Sequence, residues 1–209
     1  MNNTHNFLIK RRNKFVMKEL PLIFGISGVA RSGKDTLARH LVEKLSKSSL
    51  PSITIPFAYE VKKDLDPFLK EKLGISAFTE VTSEKTIIRP LLVSYATDVC
   101  RKMDSFFWIK KVEERVKIAN SNKIIVLITD VRYENEVKWI KENGGFVIHV
   151  TRMGIKPCNF EEKANDPIIK KLADFRVQWK TFSDEKETCN YHLSKLFYKN
   201  KWSTYGEFK

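Results

Sequence analysis
The sequence predicts an α/β fold in which helices flank a parallel sheet built around a phosphate-binding loop. Three observations lead there. The loop Gly28-Val29-Ala30-Arg31-Ser32-Gly33-Lys34 lies between an apolar run, LIFGIS (22–27), and a stretch with Leu37, Ala38, Leu41, Val42 and Leu45 at helical spacing. The run KIIVLITD (123–130) is continuously apolar, as a strand covered on both faces is. A short helical pattern follows it, then the terminator Asn143-Gly144-Gly145 and the strand FVIHV (146–150). That β-α-β passage implies parallel strands joined by a right-handed crossover.

The remaining elements follow in order. SITIPF (52–57) reads as a second strand, and a helix with Val61, Leu65, Phe68 and Leu69 on one side comes next, disturbed by Pro67. From Lys70 to Thr86 the period is lost, and a loop or insertion is expected. Pro90 suits a helix start, and Ile88, Leu91, Leu92, Tyr95, Ala96, Val99, Cys100 and Met103 form a wide apolar stripe. A further helix carries Phe106, Ile109, Val112, Val116 and Ala119. FRVQW (175–179) reads as a last strand, with a helix over 184–197. One domain over 21–209 is expected, preceded by a basic, poorly ordered extension at 1–20 in which Met17 is a second candidate start.

Composition narrows the function classes. Hydrophobic residues are 42% of the 209, enough for a sizeable core, yet no apolar run approaches the roughly 18 residues of a membrane span. No signal-peptide core precedes the first strand, and three cysteines (100, 158, 189) without paired spacing argue against a disulfide framework or zinc site. A cytoplasmic protein fits. The net charge of +13 is spread along the chain, so it suits a lysine-rich surface or a polyphosphate substrate, and nucleic acid is the less favoured partner.

The chemistry gathers at strand ends. Gly28 and Gly33 let backbone N–H groups curl toward phosphate oxygens, the next helix offers its positive end, and Lys34 adds a point charge. Asp35 departs from the usual hydroxyl residue, which appears one place late at Thr36. It either complements the helix dipole or holds Mg²⁺; an anion beside a triphosphate needs a cation between them, which favours Mg²⁺. Asp130 ends the central strand where open α/β sheets place ligands, followed by Arg132 and by Glu134, Asn135 and Glu136, whose plainer reading is a cap for the next helix. Arg152 ends the following strand in the same way.

SGVARSGKDTLARHL, VSYATDVCRKMDSFFWIKKV and LITDVRYENEVKWIKENGGFVIHVTRMG, in that order, resemble the bacteriophage deoxynucleoside monophosphate kinases over Leu22 to Gly154. The resemblance implies a P-loop nucleoside monophosphate kinase fold with five parallel strands. It also implies transfer of the ATP γ-phosphate to a deoxynucleoside monophosphate with Mg²⁺, in host cytoplasm if the chain is viral. Gly28, Ser32, Gly33, Lys34, Asp35 and Thr36 would then bind ATP, with Arg31, Lys34 and Arg152 acting on the transferring group. Asp35 and Asp130 would attend Mg²⁺, and Arg132 and Asp130 the acceptor phosphate. Helical segments over 57–120 would close on the acceptor, with Arg89, Asp98 and Arg101 as polar members and Trp108 either stacking on a base or filling the core. A homodimer is compatible with this picture. Beyond Gly154 the likeness ends, leaving the lid and adenine-side loop without counterparts. The rival readings are another small-molecule P-loop kinase, of which phosphomevalonate kinase has a related loop, and a non-catalytic nucleotide- or nucleic-acid-binding module.

Overall fold
Five parallel strands form one sheet in the order β2-β3-β1-β4-β5: β1 (Ile23–Ser27), β2 (Ser52–Thr54), β3 (Ile125–Val131), β4 (Phe146–Arg152) and β5 (Phe175–Trp179). The computed structural model describes residues 20–179, 185–200 and 202. The basic extension read at 1–20 therefore lies, except for Leu20, outside the described residues, and so does Asp184.

Alternation along the strands divides the core in two. Ile23, Val126, Ile128 and Val147 face one way, toward Trp108, Val112, Trp139 and Ile140. Those residues come from α4 (Phe107–Ser121) and α5 (Glu134–Glu142). Phe24, Ile26, Leu127, Ile148 and Val150 face the other way, toward Leu37, Leu41 and Leu45 of α1 (Lys34–Lys47) and Leu193, Leu196 and Phe197 of α7 (Glu185–Asn200). β1, β3 and β4 are covered on both sides, which is why their sequences are mostly apolar, with buried His149 a polar residue within β4. β2 is the short edge, three residues rather than the six read from sequence; Pro56 ends it by serving as the N-cap of α2 (Phe57–Leu73).

Three prolines sit inside helices, and two of them account for misread boundaries. Pro67 does not break α2, which runs on to Leu73 and stops at left-handed Gly74. Pro67 and Lys63, whose carbonyl it leaves free, are both exposed, so water takes the place of the missing N–H. Pro90 does not start a helix. It lies within α3 (Thr82–Ser94); the end of α2 and the start of α3 together shorten the loop expected at 70–86 to 74–81, and a π-helical segment, Tyr95–Arg101, continues α3. α6 (Phe160–Leu172) carries Pro167 and was not readable by period, because Ile169 is its one buried apolar residue while Phe160 is 83% exposed.

Trp202 closes the sheet at the end opposite the phosphate loop. Its ring meets Phe146, Phe24 and Phe197 edge-on, with centroids 4.7, 5.5 and 5.8 Å away. Trp202→Ala is expected to cost about 3–5 kcal/mol, read as a lowered midpoint in thermal or urea unfolding. A loss within about 0.5 kcal/mol, the range of an ordinary surface substitution, would show that the cluster does not anchor the C-terminal segment.

Candidate active site
The loop after β1 is shaped by what cannot fit in it. Gly28 has φ +143°, and a Cβ there would lie 2.4 Å from the Val150 carbonyl oxygen and 2.6 Å from Ser32 Oγ. Gly33, at φ +90°, is the N-cap of α1 and brings no capping side chain, so the first N–H groups of the helix are left for a ligand. Ser32 is fully buried, and its hydroxyl has no hydrogen-bond partner. A curled loop, an uncapped helix and an orphaned buried hydroxyl fit a bound phosphate. Lys34 is 8% exposed, with Nζ 3.8 Å from Asp35 Oδ2, whereas the Asp35 side chain is 82% exposed. Arg31, Gly33, Asp35, Thr36 and Arg152 line one cleft beside the loop; Gly28, Ser32 and Lys34, also expected on the donor side, belong to the adjoining loop and helix start but do not line it.

Among the described residues, no group of three or more His, Cys, Asp or Glu side chains could hold a metal. Asp35, open to solvent beside Thr36, fits a Mg²⁺ that takes one or two protein ligands and completes its shell with phosphate and water. Asp130, expected at the metal, is instead built into the scaffold. Its two oxygens accept N–H bonds from Phe57 (2.9 Å) and Ala58 (2.7 Å), capping α2. Burial pushes its carboxyl pKa up, against the pull of those N–H groups, Arg132 and Lys34.

A second cavity opens on the far side of the loop residue Ala30. Arg89, Arg101, Asp130 and Arg132, four of the expected acceptor residues, all line it. Asp98 does not. Arg89, Val93, Thr97 and Arg101 recur every fourth residue along the cavity wall, while Asp98 is exposed beyond it and pairs with Lys102 at 3.2 Å. Trp108 is a core residue, 1% exposed, whose Nε1 donates to the Ala96 carbonyl (3.1 Å).

Two of the cavity's arginines, Arg101 and Arg132, are held by acids that sequence reasoning missed or read as local caps. Arg101 pairs with buried Glu136 and lies 3.9 Å from the centre of the Tyr133 ring. Glu136 also accepts from the N–H groups of Arg132 (2.7 Å) and Tyr133 (3.1 Å), so the plainer reading of this segment as a helix cap holds. Arg132 Nη1 donates to Glu162 Oε1 at 2.6 Å, and Glu162 also accepts from the N–H groups of Ala30 and Cys158, both at 3.1 Å. A signal for Glu162 existed: Asn159-Phe160-Glu161-Glu162 has the spacing of a helix N-terminus, and Asn159 Oδ1 accepts from Glu162 N at 2.8 Å.

A family model described as phosphomevalonate kinase matches residues 26–146. No curated protein matches the chain by sequence. Among solved structures, a dephospho-CoA kinase from Campylobacter jejuni is 17% identical, covers 87% of this chain and 100% of its own, and superposes with a TM-score of 0.50. A shikimate kinase from Acinetobacter baumannii, in complex with shikimate, is 16% identical over 88% of this chain and 96% of its own, with a TM-score of 0.45. The first likeness carries the fold alone: this is an α/β P-loop fold.

Beneath the loop lies a buried polar chain. Ser27 Oγ and His149 Nδ1 are 3.0 Å apart, and His149 Nε2 is 3.6 Å from Asp166 Oδ1. His149 is fully buried, and burial, helped by Lys170 and Arg176, pulls its pKa down from 6.5 to about 4. The folded imidazole is therefore neutral where the unfolded one begins to bind a proton. Stability from this group is complete above pH 6.5 and is lost as pH falls toward 4. Between pH 7 and pH 5 the loss from His149 alone is about 2 kcal/mol. Urea unfolding at the two pH values should show that increment removed in His149→Asn; an unchanged pH dependence would refute the assignment.

Proposed function
The chain belongs to the phosphomevalonate kinase family, and on that premise we propose that it transfers the γ-phosphate of ATP to the phosphate of a small monophosphate ester, a deoxynucleoside monophosphate. The observation that carries this reading is the place of the phosphate loop between two cavities: Ala30 lines the arginine-rich one, and the next residue, Arg31, lines the cleft beside the loop. The phosphate loop has the donor cleft on one side and the arginine-lined cavity on the other, so two phosphates would meet across it.

Each residue then has a task that follows from its place. Lys34, almost wholly desolvated, neutralises the β- and γ-phosphates, and a charge there acts more strongly than one in open water. The Ser32 hydroxyl and the uncapped N–H groups of α1 bind phosphate oxygens. Arg31 and Arg152 flank the transferring group, whose charge spreads over its equatorial oxygens in the transition state. Asp35 and Thr36 are the residues that would hold a Mg²⁺ ion, which when bound would supply positive charge to offset that of the phosphates. Arg132, its side chain 42% exposed, turns its open edge to the acceptor phosphate, and Arg89 and Arg101 line the rest of the path. No general base is needed, because a phosphate monoester already presents an anionic oxygen. The protein's contribution is position and charge.

A phosphomevalonate-like acceptor is the second reading, favoured by the family match. Apolar Val61, Leu92, Val93 and Ala96 line part of the cavity and would accept either an aliphatic chain or the face of a base.

Incubation with ATP, Mg²⁺ and, in parallel, each common deoxynucleoside monophosphate and phosphomevalonate decides between the two. Diphosphate product from a deoxynucleotide is expected; product from phosphomevalonate alone moves the acceptor to the second reading, and product from neither sinks both. Lys34→Ala should lower kcat/KM by about 100-fold or more without unfolding the protein, since among the described residues the acid Lys34 pairs with is Asp35, at 3.8 Å.

A further inference from the structure
Glu162 joins the two halves of the site. We infer that it is a positioning residue that couples the Arg132 guanidinium in the acceptor cavity to the backbone of the phosphate loop. The inference rests on the nucleotide-binding reading of that loop.

One carboxylate spans both sides. Oε1 accepts from Ala30 N, inside the loop, at 3.1 Å and from Arg132 Nη1 at 2.6 Å, while Oε2 accepts from Cys158 N at 3.1 Å. A single oxygen therefore takes a hydrogen bond from the donor loop and one from the acceptor-side arginine. Its side chain is 6% exposed, so neither bond is diluted by water. Arg132 in turn leaves 42% of its side chain open on the cavity side. A phosphate drawing on Arg132 from that side pulls against Glu162, whose other hydrogen bonds among the described residues run to Ala30 and to the 158–162 turn, which would receive the pull.

α6 is braced for the task. Asn159 fixes the helix start by accepting from Glu162 N at 2.8 Å. One turn on, Asp166 faces His149 beneath the same loop, 3.6 Å from Nε2, and His149 meets Ser27, the residue before Gly28. Two acids one helical turn apart thus bear on the loop, one on its backbone and one on the strands that carry it.

The test is a double-mutant cycle read in MgADP affinity by calorimetry, with no acceptor present. Glu162→Gln keeps the shape and removes the charge; Arg132→Met removes the guanidinium from the cavity. Each single variant should weaken MgADP binding by about fivefold or more, and the double variant no further than the weaker-binding single one. Multiplying losses, or unchanged affinity in Arg132→Met, would overturn the coupling, because a merely structural Glu162 gives Arg132 no route to the donor nucleotide. If Glu162→Gln does not fold, Glu162→Asp, which keeps the charge and withdraws it by one methylene, takes its place in the cycle. A folded wild-type protein that binds no MgADP refutes the nucleotide reading instead. The coupling is then judged by hydrogen exchange at 28–33 in the ligand-free protein: both single variants must speed it, and unchanged exchange overturns the coupling.

Discussion
Gly28 against the Val150 carbonyl is the contact on which the site depends. β1 lies between β3 and β4 in the sheet, and its chain must turn out of the sheet while passing the carbonyl edge of β4 with no room for a Cβ. That close passage places the loop between two strand ends. One delivers Asp130 and Arg132, the other Arg152. A parallel sheet with a central first strand thus brings one arginine to each side of the phosphate loop without any other loop having to reach for it.

The carboxylates then turn proximity into fixed geometry. Asp130 caps α2, Glu136 holds Arg101 and the backbone at 132–133, and Glu162 holds Arg132 and the loop. Each is buried or nearly so, where removing one partner of an ion pair costs far more than at the surface. Such pairs are weak contributors to net stability when compared with apolar packing. What they provide is a guanidinium that cannot swing, a requirement for phosphoryl transfer, where orientation supplies much of the rate. Burial alone pushes the Glu162 carboxyl up, but the Cys158 N–H and Arg132 outweigh it and hold it below the ordinary range, so it stays ionised where it is needed.

How much of this the sequence reveals depends on whether a feature is local. The loop, the strand ending near Asp130 and the arginines at 132 and 152 follow from spacing within a few residues; that strand, β3, is interior to the sheet, but the middle place expected for it belongs to β1. Asp130 has the right address but a different task, because its partners, Phe57 and Ala58, lie more than seventy residues away in sequence. Asp98 misleads for a narrower reason: which residues of 89–101 face the cavity depends on the phase of the helix and its π-helical continuation, and three-and-four spacing does not fix it. α6 escapes because its job is polar. It buries Ile169 and Glu162 but little else, and a helix selected for two carboxylates leaves a faint hydrophobic period.

Charge balance divides the labour between the two sides of the loop. The acceptor cavity is lined by Lys62, Arg89, Arg101 and Arg132 against Asp130, Glu136, Glu161 and Glu162, four cations facing four acids. The donor cleft has Arg31 and Arg152 against Asp35 alone, with Lys34 adjoining. A triphosphate therefore meets excess positive charge that only a counter-cation near Asp35 needs to modulate. Under the proposed function, an acceptor would compete with Glu136 for Arg101 and with Glu162 for Arg132. Such a cavity favours a ligand whose phosphate lands in the right place over one that is merely anionic, since a diffuse negative charge gains little from a balanced wall. The net charge of +13 cannot come from this evenly balanced cavity; it belongs to the lysine-rich remainder of the chain, where it can speed the arrival of anions but cannot choose among them.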